Sequence, residues 1–170
     1  SYGNPIYLDE LRKIIYPTND GFFKLDAKYF KHFREGIAMQ WDNGVPIIEK
    51  LFTSEWEKLF GNARNIEAEM TQRYIDLAAS AQKLTEEIVF HILNHLYEKT
   101  KMRNLCLAGG VAQNSVLNGK ILSNTPFKNV YVPPCAHDGG TSIGCAFYLY
   151  HQILNNTRSF NMTNSFYGSS

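Results

Sequence analysis

Two glycine pairs and the polar residues beside them carry most of the chemistry that this sequence could perform. In Leu107-Ala108-Gly109-Gly110-Val111-Ala112-Gln113-Asn114 the first pair stands between a short apolar run and a helical pattern. Glycine lets the backbone approach a ligand closely, and a helix N-terminus favours negative charge, so a phosphate-bearing nucleotide is one fitting occupant. Asn114, with both a donor and an acceptor, suits a ribose or base edge. A tight strand-to-helix turn without any ligand accounts for the same residues equally well. The second pair lies in His137-Asp138-Gly139-Gly140-Thr141-Ser142. Here the Asp138 carboxylate is either a metal ligand or an ordinary helix cap, and His137 is a ligand, a general acid or a plain loop histidine.

Other combinations carry less. His91 and His95 have the i, i+4 spacing that lets two rings reach one metal, but His95 falls inside an apolar helical stripe and His91 at its edge. Both are expected to be packing histidines. No acidic residue stands between them as in HExxH, and no GxSxG nucleophile elbow occurs. Cys106, Cys135 and Cys145 form no CxxC pair, which argues against a disulfide framework and for a reducing compartment, the cytoplasm.

The elements that must position these residues are read from periodicity. From Ile66 to about Thr100, Met70, Tyr74, Leu77, Ala81, Leu84, Ile88, Ile92 and Leu96 recur at three- and four-residue steps without Gly or Pro, which predicts one long amphipathic helix. A strand over residues 104–108, the Gly109-Gly110 turn and a helix through Val111, Val116, Leu117 and Ile121 come next. The same grammar repeats with Val130-Tyr131-Val132, the Asp138-Gly139-Gly140 turn and a helix from Ser142 to Ile153. Two such units imply parallel strands joined by a helical crossover. Upstream, Ile6 to Ile15 has near-helical spacing, Asn19-Asp20-Gly21 marks a turn, and Asp26 can cap a short helix through Tyr29, Phe30 and Phe33. Residues 41–65 read as irregular with one helical turn, and residues 155–170 as a tail that either docks or frays as a flexible end.

The 170 residues, 44% apolar and 19% charged, are enough for a real core and exclude long disorder. A formal net charge of +1 gives no electrostatic case for a nucleic-acid or membrane surface. No apolar run approaches the roughly 18 residues needed to span a bilayer. The chain starts at Ser1 without an initiator methionine and is expected to be a piece of something longer.

Taken together, Asn104 through Asn114 with Asn118-Gly119-Lys120-Ile121, and Pro133-Pro134-Cys135-Ala136-His137-Asp138-Gly139-Gly140-Thr141-Ser142-Ile143-Gly144, closely resemble the carbamoyltransferase family of nodulation and antibiotic-tailoring enzymes. Ser1-Tyr2-Gly3-Asn4-Pro5, Leu59-Phe60-Gly61 with Arg64, Asp76-Leu77-Ala78-Ala79-Ser80-Ala81-Gln82 and Glu86-Glu87 are similar to that family too. The likeness covers nearly the whole chain.

That resemblance implies an α/β fold: the helix-rich C-terminal lobe of an actin-like ATPase (ASKHA) with a small parallel sheet, so that residues 1–170 form a single partial domain. It further implies that ATP and carbamoyl phosphate give a carbamoyl-adenylate, whose carbamoyl group passes to a hydroxyl of a small-molecule acceptor. Carried over by position, Gly109, Gly110, Val111 and Asn114 would line the nucleotide and Asp138 would be one ligand of a divalent metal, commonly iron. His137 and Gly139 would be site contacts. The metal's two histidine ligands and the first phosphate loop belong to an N-terminal lobe upstream of this segment, and His91 and His95 do not take that role. Alone, the chain should not turn over. The related threonylcarbamoyl transfer to tRNA and a non-catalytic nucleotide-binding or interaction module are the alternatives. The near-neutral charge speaks against a tRNA partner.

Overall fold

The computed structural model describes residues 2–166 and 168; Ser1 and the last residues of the expected tail, Tyr167, Ser169 and Ser170, lie outside them. It is an α/β structure of helices and small two-stranded sheets, one of them parallel. Two compact units divide the chain, the first ending at Ile92 and the second beginning at Leu93.

The first unit opens with a single helical turn, α1 (Leu8–Leu11), and not the longer helix expected to Ile15. Ile15 instead begins β1 (Ile15–Pro17), which pairs antiparallel with β2 (Phe23–Leu25) across the Asn19-Asp20-Gly21 turn. Pro17 cannot continue a helix, and the cross-strand partner supplied by the turn wins over local helical spacing. Asp26 caps as expected, its side chain accepting the Lys28 N–H, but the chain then makes two separate 3-10 turns, Ala27–Tyr29 and Lys31–Phe33, in place of one helix.

Residues 41–65 are more ordered than their sequence suggested. β3 (Met39–Asp42) and β4 (Val45–Ile48) form an antiparallel hairpin whose two-residue loop, Asn43-Gly44, has positive φ at both positions, the geometry that an Asn-Gly pair favours. The expected single helical stretch is α2 (Glu55–Phe60).

The long helix is α3 (Gln72–Thr100), and it starts at Gln72 instead of Ile66. Ile66 and Met70 point to solvent, so the apolar residues ahead of Gln72 have nothing to pack against. Leu84 and Ile88 of α3 join Leu11, Ile14, Tyr29 and Phe60 in one buried cluster, with Trp56 tied in by its indole N–H on the Tyr29 carbonyl at 3.0 Å. Core burial of this kind contributes about 1.5–3 kcal/mol per large apolar side chain.

The second unit holds the predicted pair of strands. β5 (Asn104–Cys106) and β6 (Asn129–Tyr131) run parallel in the register Asn104↔Asn129, Leu105↔Val130 and Cys106↔Tyr131. The crossover between them is helical but broken into a 3-10 turn at Gly110–Gln113, then α4 (Ser115–Asn118) and α5 (Ile121–Asn124). Asn114 causes the first break: its backbone is extended, and its side chain caps α4. Leu117 and Ile121 of this crossover are buried, as are Leu93, Leu105 and Phe127. α6 (Gly140–Tyr148) begins two residues before the expected Ser142 and passes into a π-turn over Leu149–Ile153. Residues after Leu154 have no regular structure among those described, yet the Phe160 ring lies tilted beside that of Phe147, with centroids 6.3 Å apart. Among the described residues no helix is long and apolar enough to cross a membrane.

Candidate functional site

Parallel pairing puts the carboxyl ends of β5 and β6 side by side, and both glycine loops leave from there. The Leu107 N–H donates to the Tyr131 carbonyl at 3.0 Å, extending the ladder, and the Gly109 N–H donates to the Ala136 carbonyl at 2.7 Å, tying one loop to the other. Gly109 has φ +103, a conformation that other residues rarely adopt. Its N–H is therefore engaged in holding the loops together and is not free for a ligand. Space beside both glycines is open: a Cβ built on Gly109 or Gly110 would meet nothing within 4 Å.

The second loop is held more tightly. His137 Nδ1 accepts the Gly139 N–H at 3.0 Å, the His137 carbonyl accepts the Gly140 N–H at 2.9 Å, and the Asp138 carbonyl accepts the Thr141 N–H at 3.0 Å. These bonds close the loop onto the first turn of α6. Neither glycine can be replaced without movement, since a Cβ on Gly139 would lie 2.6 Å from the His137 ring and one on Gly140 would lie 2.1 Å from the Cys135 carbonyl oxygen.

Between the loops lies a cavity of about 410 Å³ lined by Gly109, His137, Asp138, Gly140, Phe147 and Met162 among others. Its volume falls in the range of small-molecule sites, roughly 300–1,000 Å³. Of the residues singled out from sequence, Gly109, His137 and Asp138 line this cavity, whereas Gly110, Val111, Asn114 and Gly139 do not. Asn114 has a defined structural task, its Oδ1 accepting the Leu117 N–H at 3.0 Å. Cys135, Phe147 and Met162 were not anticipated as site residues. Cys135 could have been found from its place before His137, but Met162 reaches the cavity from a segment with no periodic signal.

The Asp138 carboxylate is exposed and makes no hydrogen bond or ion pair among the described residues. It is a free anionic group at the cavity edge. One carboxylate is not a metal centre, however, and no group of three or more His, Cys, Asp or Glu side chains suited to a metal occurs among the described residues. By themselves, then, the described residues do not fit a metal ion.

His91 is tied into the packing, donating through Nε2 to the Thr18 carbonyl at 2.9 Å, whereas His95 Nε2 is buried without a hydrogen-bond partner among the described residues. A second cavity, of about 370 Å³, lies in the first unit among Phe52, Trp56, Phe60, Arg64, Arg73 and Tyr74. Its arginines hold the adjoining loop: Arg64 donates to the carbonyls of Ile66 and Ala68, and Arg73 to those of Phe60 and Asn62.

Loops at the carboxyl ends of neighbouring parallel strands, closed on each other and flanking a cavity, give the chain's second unit an α/β arrangement of the kind in which ligand sites gather. The family model described as the carbamoyltransferase N-terminus matches residues 5–147, which include both loops, and the chain belongs to the carbamoyltransferase family. It is 38% identical over 170 residues to the Synechocystis sp. protein sll1178, covering 99% of this chain and 26% of that protein. It is 46% identical over 83 residues to nodulation protein NolNO of Sinorhizobium fredii, covering 49% of this chain and 12% of that protein. A match to a tRNA N6-adenosine threonylcarbamoyltransferase of Fervidobacterium nodosum reaches 41% identity over 59 residues, 35% of this chain and 18% of that protein. The chain thus spans about a quarter or less of the length of these relatives.

Proposed function

We propose that this chain is the C-terminal lobe of the actin-like ATPase domain of an ATP-dependent O-carbamoyltransferase acting in the cytoplasm. The observation that carries the reading is the tie between the two glycine loops, within a segment matched by the carbamoyltransferase family model. In the complete enzyme, water cleaves carbamoyl phosphate to carbamate and inorganic phosphate, a carbamate oxygen attacks the α-phosphorus of ATP, and pyrophosphate leaves, giving a carbamoyl-adenylate. The hydroxyl oxygen of a small-molecule acceptor then attacks the carbamoyl carbon and gives up its proton, the bond to AMP breaks, and AMP leaves with the electron pair.

The residues have separable tasks in this scheme. Gly109 fixes the shape of the first loop, and the open faces of Gly109 and Gly110 admit the nucleotide. Val111 flanks it, and Asn114 holds the following helix in place. Asp138 offers one carboxylate to a divalent metal, iron being the expected ion, whose two histidine ligands belong to the N-terminal lobe. Such an ion would neutralise charge on the phosphates. Catalysis needs both lobes to position the reacting groups, so the chain alone binds nucleotide without turnover.

The test is to combine the chain with the remainder of its parent and measure AMP release that depends on carbamoyl phosphate. Release confined to the combined protein supports the reading, and a folded complex that releases none counts against it. The threonylcarbamoyltransferase match favours a second reading, threonylcarbamoyl transfer to tRNA. A net charge of +1 supplies little phosphate-neutralising surface for such a partner. Modification of tRNA by the combined protein would select it.

A further inference from the structure

We infer that His137 is a hydrogen-bond donor to a phosphoryl oxygen of the bound nucleotide and not a metal ligand; this rests on the nucleotide reading above. A backbone amide can only donate. Because Nδ1 of His137 accepts the Gly139 N–H at 3.0 Å, its lone pair is engaged within the loop and Nε2 is the ring nitrogen left to donate. While that bond is kept, Nε2 presents an N–H and not a lone pair.

The same bond fixes where that donor sits. The ring lies over Gly139, with Cε1 2.6 Å from the position a Cβ would take, so only glycine at 139 permits the arrangement. The adjoining Gly140 N–H on the His137 carbonyl holds the main chain on the other side. His137 lines the cavity beside Asp138, and its Nε2 has no partner among the described residues. One loop therefore presents two unlike groups, an N–H donor and a carboxylate. A phosphate accompanied by its cation matches that pair, the oxygen meeting His137 and the cation meeting Asp138. A bare anion would be opposed by the carboxylate, and a neutral nucleoside would leave both groups unmatched.

Calorimetric titrations of the chain with magnesium ATP and with adenosine, for the wild type, His137→Ala and His137→Asn, test this. Ring and amide 15N spectra of the free proteins complete the experiment. The expected result is ATP affinity weakened about tenfold in both variants, equivalent to one hydrogen bond to a charged group, with adenosine affinity unchanged. His137→Asn can still accept the Gly139 N–H and should keep that amide signal in its native position, showing that the loss does not come from a disordered loop. Wild-type ring signals should show the proton on Nε2. Equal weakening toward adenosine, or a proton on Nδ1, would overturn the assignment. ATP binding that survives in His137→Ala removes His137 alone, whereas a wild type that binds no ATP removes the nucleotide reading and the donor role with it.

Discussion

The residues that carry this chain's resemblance to the carbamoyltransferase family fall into two groups that handle their polar atoms in opposite ways. In the first unit, Gly3-Asn4-Pro5 is locked onto Asp76-Leu77-Ala78-Ala79-Ser80. Asp76 accepts the Asn4 N–H at 2.7 Å and the Gln72 side-chain amide at 2.8 Å, while Ser80 accepts the Tyr7 N–H at 3.1 Å and donates to the Asp76 carbonyl at 2.6 Å. Asp76 and Ser80 are buried, at 7% and 0% exposure. In the second unit the glycine loops leave the Asp138 carboxylate and the His137 Nε2 without partners among the described residues, beside an open cavity. Buried polar groups need internal partners to offset lost hydration, whereas a group meant for a ligand must be left available. The contrast separates residues engaged in holding the chain from residues whose polar atoms are left available.

Exchanging the two aspartates should give the largest difference. Asp76→Ala strands the Asn4 N–H and removes the tie between the N-terminal segment and α3, and should destabilise the chain by about 3 kcal/mol in denaturant unfolding. Asp138→Ala touches no internal partner and should change stability by less than about 0.5 kcal/mol, the usual range for an exposed site. In the full-length parent the same Asp138→Ala change should abolish metal retention in elemental analysis. Comparable destabilisation by both variants, or unchanged metal content, would erase the distinction.

The glycines extend it with smaller effects. A Cβ on Gly3 would come within 2.4 Å of the Ile75 carbonyl oxygen, so Gly3→Ala should cost about 1–3 kcal/mol through backbone displacement. At Gly110, where a side chain meets nothing, Gly110→Val should leave the unfolding midpoint nearly in place and weaken ATP binding in calorimetry. Asn114 sits between the two classes. Asn114→Ala should lose about 1 kcal/mol of capping, and Asn114→Asp should restore it. If ATP affinity tracks stability across this pair, Asn114 acts through the helix; if Asp restores stability but not affinity, it also meets the nucleotide.

The legible parts of the sequence were those in which local pattern and tertiary demand agree. The 3.6-residue repeat of α3, the order strand, glycine turn and helix, and the parallel pairing of β5 with β6 all rest on periodicity sustained by burial. Ends and breaks are less legible. Met70 continues the stripe of α3 by spacing, but it has no core beneath it, and the helix starts at Gln72. The β3–β4 hairpin carries its own signal in Asn43-Gly44, masked because nearly all its described side chains are exposed and show no inside-outside alternation. In the site, residue types point to Asp138 and the glycines. That Gly109 gives its N–H to Ala136, and that Met162 joins the cavity wall, depend on contacts between segments that no local pattern encodes.

The smallest effect concerns acid, and it bears on the exposed ties of the first unit. Asp20 is held below the ordinary carboxylate range by the Thr18 hydroxyl, Asp26 by the Lys28 backbone N–H, and Glu57 by its hydrogen bond and ion pair with Lys50 at 2.6 Å. Each carboxyl group binds its proton more readily in the unfolded chain, where its pKa is about 4, so each adds stability above that pH and loses it as the pH falls through the lower native value. Exposed pairs of this kind are weak and screened by salt. Acidification should therefore lower the unfolding midpoint reported by Trp56, only slightly and less at high salt. Glu57→Gln should flatten part of that dependence. A midpoint as acid-sensitive in Glu57→Gln as in the wild type would place that response in groups other than the Lys50–Glu57 pair.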